Sequence, residues 1–405
     1  MKGNDRMAGF GYRKLMFCGL LISSFVTTHL SLMAQTDIFG YYEVEVDFAQ
    51  MPSQQIFYGY NKFRLDISSY PGETISLNAN LNIQQFFGQR EWNLFDYLPV
   101  SIWEPEFGSE AEYTFLLHDT LYLDNVYARL GFDRFDLTVG KQQLSLGTGY
   151  AWNPSDVFNK KDLMDPTYEQ TGVPAFRVEI PLLDRMIIDL IAAPDHSLEK
   201  STYYFQYKLG IDRFDFTGFG GILEEARTAL DPETDSLDYQ VILNQRKMIG
   251  GSLVGQVWEI GMWAEGCRNL MDVDENFDEY VVGLDHTFDF RTYLMIEYFH
   301  NGRGVANKEN LTFNDYAGYL SGGAHSIMQD YLFVLANHPL TDFVSLGLYA
   351  IGNLNDNSYA LAPMLEWSAF ENVSMTFQGG YFLGEDDTEF GSQEWSTRIR
   401  MRIYF

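Results

Sequence analysis

Apolar and polar residues alternate along much of this chain, and this pattern predicts extended strands with one apolar and one polar face. The last ten residues show it well, because apolar residues at 399, 401, 403 and 405 interleave with Arg398, Arg400, Arg402 and Tyr404. Residues 75–84 alternate in the same way, with leucine, isoleucine or alanine against asparagine, serine or glutamine. These segments run for about ten residues, the length that crosses a bilayer when tilted, whereas most strands of soluble sheets have about 5–6.

The pattern predicts eighteen strands. They lie near residues 41–48, 62–67, 75–84, 119–130, 134–146, 174–183, 185–194, 201–211, 213–225, 246–256, 258–269, 279–288, 292–301, 329–338, 343–353, 358–368, 374–384 and 395–405. Tight turns such as 70–73 and 210–213 alternate with longer connections, notably 88–118, 147–173, 226–245 and 302–328. This segregation predicts an all-β fold, a single antiparallel transmembrane β-barrel with short periplasmic turns and long extracellular loops.

The first 34 residues have the pattern of a secretory signal peptide. Four basic residues precede an apolar run from Leu15 to about Val26, and small residues lie near Ala34. The run is too short for a spanning helix. We therefore expect residues 1–34 to be a signal peptide and residues 35–405 to form the barrel, exported through the periplasm to the outer membrane of a Gram-negative cell.

Composition narrows the possible chemistry. The chain has a formal charge of −29 and 16% aromatic residues. Cys267 is the sole cysteine after residue 34, which excludes an internal disulfide and a cysteine metal cage. No phosphate-binding loop, dinucleotide motif, paired-histidine zinc motif or basic nucleic-acid patch is present in the sequence. We expect no cofactor, no metal and no nucleic-acid partner.

The closing aromatic strand resembles the C-terminal signature of bacterial outer-membrane β-barrels. The resemblance implies two partners: the barrel-assembly machinery, which would read this strand, and the lipid of the outer membrane. No strand shows a flat protein-facing wall that would favour a particular oligomer.

The two ends of the chain predict how the barrel closes. In a closed antiparallel barrel the first and last strands pair, so acidic residues of the first strand share the lumen face with arginines of the last. We expect this closure seam to place Glu43 opposite Arg402, Glu45 opposite Arg400 and Asp47 opposite Arg398. The alternative is that each charge is simply solvated in a wide lumen.

One stretch carries a more specific resemblance. Residues 140–159, Gly-Lys-Gln-Gln-Leu-Ser-Leu-Gly-Thr-Gly-Tyr-Ala-Trp-Asn-Pro-Ser-Asp-Val-Phe-Asn, resemble the G-[RK]-Q-x-x-x-x-G-x-G-x-x-W-N-P-x-D-x-F stretch of porin-like barrels related to alginate-export and uncharacterised outer-membrane families. Residues 172–179 fit the strand that follows it. Alginate exporters have an arginine-rich lumen, which differs from the acidic character of this chain.

The loop after this strand, residues 147–175, is the candidate constriction of the lumen. Glycines at 147 and 149 allow the backbone to bend inward, and aromatic residues could hold the loop on the wall. We expect Lys141, Lys160 and Lys161 to oppose Asp156, Asp162 and Asp165 there. The candidate pore residues are Lys141, Trp152, Asn153, Asp156, Lys160, Lys161 and Asp162; an external loop is the alternative.

Eighteen strands are enough to enclose an aqueous channel. The leading functional hypothesis is therefore passive diffusion of small solutes, with acidic loops favouring cations at the mouth. A plugged barrel that acts as a binding, scaffold or adhesin surface is the alternative. A hydrolase is a minor alternative, because only His300-Asn301-Gly302 suggests a catalytic group and no G-x-S-x-G motif is present. We expect a protein that is not an enzyme.

Overall fold

A computed structural model describes residues 35–51, 54–165, 168–195, 200–230, 239–320, 324–391 and 393–405. The expected signal peptide at residues 1–34 lies outside the described residues. Side chains are described for these ranges except at 226–230 and 239–243. None of the helices in the described part of the chain is long and apolar enough to cross a membrane.

Eighteen strands form one closed antiparallel sheet, which confirms the predicted barrel. The strands are β1 (Gln35–Gln50), β2 (Gln55–Gly72), β3 (Ile75–Gly88), β6 (Thr120–Gly131), β7 (Asp136–Gln142), β8 (Val173–Leu183), β9 (Met186–Ala193), β10 (Thr202–Ile211), β11 (Phe214–Leu230), β12 (Tyr239–Val257), β13 (Ile260–Met271), β14 (Phe277–Thr287), β15 (Tyr293–Asn301), β16 (Asp330–Pro339), β17 (Val344–Asn353), β18 (Ser358–Phe370), β19 (Val373–Leu383) and β20 (Trp395–Tyr404).

The long connections carry the remaining elements. Between β3 and β6, two short strands pair with each other, β4 (Glu91–Asn93) and β5 (Thr114–Leu116), and enclose helix α1 (Val100–Phe107). Helix α2 (Phe313–Leu320) lies between β15 and β16. Short turns lie at one end of the barrel and these loops at the other, so we refer to the turn end and the loop end.

The barrel closes where β1 pairs with β20. In this register Glu43 lies opposite Arg402, Glu45 opposite Arg400 and Asp47 opposite Arg398. β1 also pairs with β2 on its other side, so neither terminal strand leaves an unpaired edge. Closure satisfies the backbone groups without water, which is the requirement for a sheet in a bilayer.

The outward face of the strands is mostly apolar, but the inward face is not uniformly polar. On β16, Tyr331, Phe333 and Leu335 point inward and are almost fully buried. Similar inward apolar residues occur on β14, β15, β17 and β18. This corrects the expectation of a uniformly polar inner face, because much of the inner face of β14–β18 is apolar and packs against loops, although Glu279 and Glu297 also point inward there.

Most strand ends match the sequence prediction within a few residues, but β1, β2, β11 and β12 extend five to seven residues beyond a predicted end. In the opposite sense, β7 ends at Gln142 rather than residue 146. The reason is burial: Leu144 and Leu146 are 1% and 3% exposed and pack into an apolar cluster with Tyr204, Phe219 and Met248. The chain therefore turns into the barrel four residues earlier than expected. β8 begins at Val173, so the expected loop 147–175 is in fact 143–172.

Candidate functional site: a segment folded across the lumen

Residues 143–172, of which 166–167 are not described, form what we call the lumen segment. Two glycines permit its tight inward fold. Gly147 has a φ of +87°, and a Cβ there would lie 2.6 Å from the Asn153 Cβ. A Cβ on Gly149 would collide with the Trp152 carbonyl oxygen at 1.9 Å. Larger residues at these positions would prevent the backbone from closing on itself.

Two buried glutamates hold one side of the lumen segment. Glu297 on β15 accepts the backbone N–H groups of Tyr150, Ala151 and Trp152 at 2.6, 2.8 and 3.0 Å. Glu265 on β13 accepts the backbone N–H groups of Thr148 and Ser155, both at 2.7 Å. Hydrogen bonds to ionised carboxylates are stronger than neutral ones. The two side chains thus replace the β-ladder partners that this irregular backbone lacks.

Aromatic stacking reinforces the same anchor. The Trp152 ring stacks on Phe299 with centroids 5.1 Å apart and planes 9° from parallel. Asp156 caps the following turn, because its carboxylate accepts the backbone N–H groups of Phe158 and Asn159, both at 3.2 Å. Burial raises the pKa of Asp156 to about 6, although these hydrogen bonds oppose the shift.

The other side of the lumen segment is held at the closure seam. Asp165 accepts hydrogen bonds from Arg398 at 3.0 Å and from both terminal nitrogens of Arg400 at 3.1 and 2.5 Å. The arginines are paired with β1 as well: Arg398 Nε lies 2.9 Å from Asp47, and Arg402 Nε lies 2.6 Å from Glu43. Each cation of the seam therefore has an acidic partner, and Arg398 and Arg400 also bind the lumen segment.

Glu169 makes a second attachment to the seam region. Its carboxylate accepts from Lys62 and Arg64, both at 2.8 Å, and from the Tyr41 hydroxyl at 2.5 Å. Burial by itself would raise the pKa of Glu169, but Lys62, Tyr41 and Arg64 outweigh it and lower this pKa to about 2. The segment therefore runs from β13 and β15 on one side of the barrel to β20, β1 and β2 on another. Along the shorter arc of the barrel, the four strands β16 to β19 lie between β15 and β20.

The predicted pore residues fall into two groups. Trp152, Asn153, Asp156, Lys160, Lys161 and Asp162 all lie on the lumen segment, inside the barrel. Lys141 does not belong to this site: it lies opposite the exposed Val126 on the neighbouring strand, and its Nζ donates to the Leu123 carbonyl. Alternation along β7 places Lys141 on the outer face because Thr138 and Gln142 point inward.

The lysines do not pair with the segment's aspartates as expected. Lys160 Nζ donates to the Tyr319 carbonyl at 2.9 Å. Lys161 Nζ donates to the carbonyls of Gly149 and Tyr150 at 2.8 and 2.7 Å. Carboxylates of the barrel wall accept hydrogen bonds from backbone N–H groups of the lumen segment, whereas the lysines of the segment donate to backbone carbonyls. Lys161 thereby stabilises the segment itself, and Lys160 connects it to helix α2.

The lumen segment divides the interior into two parts. At the turn end, three spaces of about 490, 620 and 360 Å³ lie beneath it. Basic side chains outnumber acidic ones in their linings, where the bases are Arg64, Arg129, Arg177, Arg185, Lys208, Arg291, Arg400 and Arg402 and the acids are Asp66, Glu179, Asp215, Asp342 and Glu366. At the loop end, Phe107 of α1, Phe313 of α2 and Phe95, which precedes α1, pack together against the apolar inner wall.

Several residues that build the site had no signal in the sequence analysis. Glu265, Glu279 and Glu297 are inward acidic residues in strands, each 3% exposed or less. Glu279 binds Arg246 at 3.2 Å and His325 at 2.7 Å, which ties the loop before β16 to the wall. One pattern could have identified Glu265 and Glu297. Each is an acidic residue at an inward position, and no basic residue lies opposite it on a neighbouring strand.

His300, the candidate catalytic group of the hydrolase alternative, lies at the loop end of β15. Its Nδ1 is 2.8 Å from Asp330, which also accepts from the Tyr298 hydroxyl at 2.5 Å. Tyr280 stacks on the His300 ring with centroids 4.8 Å apart. His300 alternates with the inward Phe299 and Asn301, so it faces away from the lumen.

No protein-family model matches the chain, and no curated protein is similar to it in sequence. Among solved structures, it is similar to an in-vitro folded trimer form of OmpT, an outer membrane protein of Vibrio cholerae, with 9% identity over 92% of this chain and 99% of that chain and a TM-score of 0.46.

Two further solved structures have comparable scores. Salmonella typhi OmpF in complex with daunomycin has 10% identity over 92% of this chain and 98% of that chain, with a TM-score of 0.47. A triple mutant of Rhodopseudomonas blastica porin has 10% identity over 92% of this chain and 100% of that chain, with a TM-score of 0.46. The functional interpretation of this barrel therefore comes from its own contacts.

Proposed function

We propose that this protein is an outer-membrane channel through which small solutes diffuse passively, and that the lumen segment is its constriction. One observation carries the proposal: a segment anchored on two sides of the barrel lies between a polar space at the turn end and the loops at the other end. An eighteen-strand barrel has room for water beside such a segment. Barrels with this segregation of turns and loops place the turns in the periplasm.

The acidic loops support a preference for cations at the mouth. Glu104, Glu106, Glu110 and Glu112 are all exposed, and such a cluster raises the local concentration of cations. The turn-end space opposes this preference because arginines dominate its lining. The net preference is therefore modest, and it is set at the mouth.

Planar-bilayer recordings of the refolded protein test both parts. Large, stable conductance steps are the expected result, and silence from protein whose folding is verified by heat-shifted gel mobility overturns the channel. A reversal potential measured across a potassium chloride gradient gives the ion preference. Neutralising the four mouth glutamates to glutamine is expected to shift that potential toward anions, whereas the turn-end control Asp133→Asn with Asp184→Asn leaves it unchanged.

A plugged barrel that binds a partner or ligand remains the second candidate. The observation in its favour is the apolar cluster that joins Trp152, Phe313 and Phe95 to the inner wall of β14–β18. That packing closes much of the loop end. Folded but silent protein in the bilayer experiment would select this candidate.

We also propose that the barrel-assembly machinery recognises β20 and that the lipid of the outer membrane covers the outer face. The terminal Phe405 ring stacks on Phe63 with centroids 5.6 Å apart, and both rings lie on the exposed outer surface. Deleting Phe405 is expected to reduce assembly in cells strongly but refolding into detergent only slightly. Equal losses in the two measurements would remove the recognition role.

A further inference from the structure

Two of the spaces inside the barrel lie on the same strands, one on each side of the lumen segment. The turn-end space of about 490 Å³ is lined by residues of β16–β20, and we call it the lower space. A loop-end space of about 380 Å³ is lined by residues of β1, β19 and β20 and of the loops, and we call it the upper space. Phe343 in the lower lining and Leu320 in the upper lining are 66% and 52% exposed, so each space reaches the surface at its own end of the barrel.

The two spaces meet at neighbouring residue pairs of the β19–β20 ladder. Thr376 lies opposite Arg400, and Gln378 lies opposite Arg398. The first pair lines the lower space, and the second pair lines the upper space. Residues two positions apart on a strand point to the same face and are separated by about 7 Å. The barrier between the two spaces is therefore thin along β19 and β20.

Two residues of the lumen segment form this barrier, Met164 and Asp165, and we call them the septum. The Gln378 side-chain amide donates to the Met164 carbonyl, and Asp165 accepts from both Arg398 and Arg400. These contacts use side chains of β19 and β20, because the backbone groups of both strands are taken up by the barrel ladder. The septum can therefore move away from the wall without opening the barrel.

The other contacts of the lumen segment are more extensive. Leu144 and Leu146 lie in an apolar cluster with β10–β12, and Trp152 lies in a second cluster with β14–β18. Toward β2, Glu169 binds two basic residues, and toward β6 the Gly172 N–H donates to a wall carboxylate at 3.1 Å. In the other two turn-end spaces, no strand residue of the lining lies next to a strand residue that lines a described loop-end space.

We infer that solutes cross the lumen segment at the septum, along β19 and β20, and that the Met164 side chain sets the size limit of the channel. Polar side chains lead to the septum on both sides, with Ser374 and Thr376 in the lower space and Ser396 in the upper space. The inference deepens the proposed function and rests on it, because a route for solutes exists only in a barrel that conducts.

The charges beside the septum allow it to move. Arg398 is paired with Asp47 at 2.9 Å, and Arg400 is paired with Glu45. Both arginines therefore keep an acidic partner on β1 when Asp165 moves away, and no buried cation is left uncompensated, which would be the costly outcome. Because these cations stay neutralised, the crossing discriminates between solutes by size, and the ion preference is left to the mouth.

Modification of single cysteines during planar-bilayer recording tests the route. The reagent is a methanethiosulfonate that carries a trimethylammonium group. Ser374→Cys lies in the lower space and Ser396→Cys in the upper space, whereas the matched control Ser252→Cys lies in a different turn-end space. The native Cys267 is buried, and the unsubstituted protein gives the baseline. We expect modification to remove most of the current in the first two variants and to leave the current of the control unchanged.

Mass spectrometry of the same proteins shows which cysteines react. The inference is overturned if folded, conducting Ser374→Cys or Ser396→Cys protein is not modified, or is modified without loss of current. An equal loss of current in the Ser252→Cys control also overturns it. The control supports the route if it is modified without loss of current or is not modified at all.

Two substitutions of Met164 test the size limit. Met164→Ala shortens the side chain and is expected to raise the single-channel conductance, whereas Met164→Trp fills the crossing and is expected to lower it. Heat-shifted gel mobility verifies that both variants fold, and equal conductance of the two refutes the role of Met164. Silence of every folded protein, including the unsubstituted one, refutes the channel itself, whereas conduction without the expected pattern of block refutes only the route.

Discussion

Arg400 holds Asp165 through two parallel hydrogen bonds, with Nη1 3.1 Å from Oδ1 and Nη2 2.5 Å from Oδ2. Arg400 belongs to the last strand of the barrel and also pairs with Glu45 of the first strand. The residue that helps to close the barrel therefore also fixes the segment that crosses its lumen. The closure seam and the lumen segment therefore share one electrostatic network.

Replacing Asp165 with asparagine is expected to loosen the lumen segment but not the barrel. Arg400 keeps Glu45 as a partner, so no cation is left buried and uncompensated. The cost is about 1–3 kcal/mol, the value of a hydrogen bond to a charged group. We expect larger or noisier conductance steps and faster proteolysis near residue 165.

Asp278→Asn is the matched control for this change. Asp278 also pairs with an arginine, Arg268, at 2.6 Å, but both side chains are exposed and lie outside the network. An Asp165→Asn channel indistinguishable from the control would show that the seam contact does not hold the constriction.

Two substitutions of Glu297, one milder than the other, test the attachment of the lumen segment to β15, on the side away from the closure seam. The carboxylate serves the backbone N–H groups of Tyr150, Ala151 and Trp152 and the indole of Trp263. Glu297→Ala removes every acceptor, whereas Glu297→Gln keeps one oxygen, so alanine is expected to be the more disruptive. Hydrogen exchange at residues 150–152 measures the effect, with the exposed turn residue Glu371→Ala as control. Protection unchanged in the alanine variant would contradict the anchor.

Acid is expected to release the segment from the seam. The fold lowers the pKa of Glu169 to about 2 from an ordinary value of 4.5, because Lys62 and Arg64 favour its ionised form despite burial. The stabilisation is therefore complete above pH 4.5 and is lost as the pH falls from 4.5 toward 2. Conductance recorded across this range should change progressively. In the Glu169→Gln variant, the part of the conductance change that comes from Glu169 should be absent. If the variant and the unmodified protein show the same pH dependence, the conductance change comes from other carboxyl groups.

Exchanging charges across the seam tests whether the pairs are specific. Arg402→Glu alone places Glu43 opposite a like charge and is expected to destabilise closure by about 3–5 kcal/mol, the cost of breaking a buried pair. Glu43→Arg combined with Arg402→Glu restores opposite charges across the β1–β20 pairing. Heat-shifted gel mobility reports closure. Failure of the double exchange to recover any stability would show that these charges are merely solvated.

Alternation of apolar and polar residues was sufficient to predict the barrel, because a strand in a bilayer must put one face to lipid and therefore has a period of two. The positions of the strands, the segregation of short turns from long loops and the sharing of one face by Glu43 and Arg402 are local properties of the sequence. The loop predicted at residues 147–175, which spans 143–172 in the structure, was also identifiable as a candidate constriction from its glycines and aromatic residues.

Only the tertiary structure decided what occupies the lumen. Much of the inner face of strands β14–β18 is apolar, and alternation cannot show that this face packs against Trp152 and Phe313 rather than facing water. Glu297 and Asp165 find their partners more than a hundred residues away, and the backbone N–H groups that Glu297 binds have no signature in the sequence. The alternation along a strand determines whether a side chain points into or out of the barrel. Which residue it contacts inside depends on how the loops fold back into the barrel.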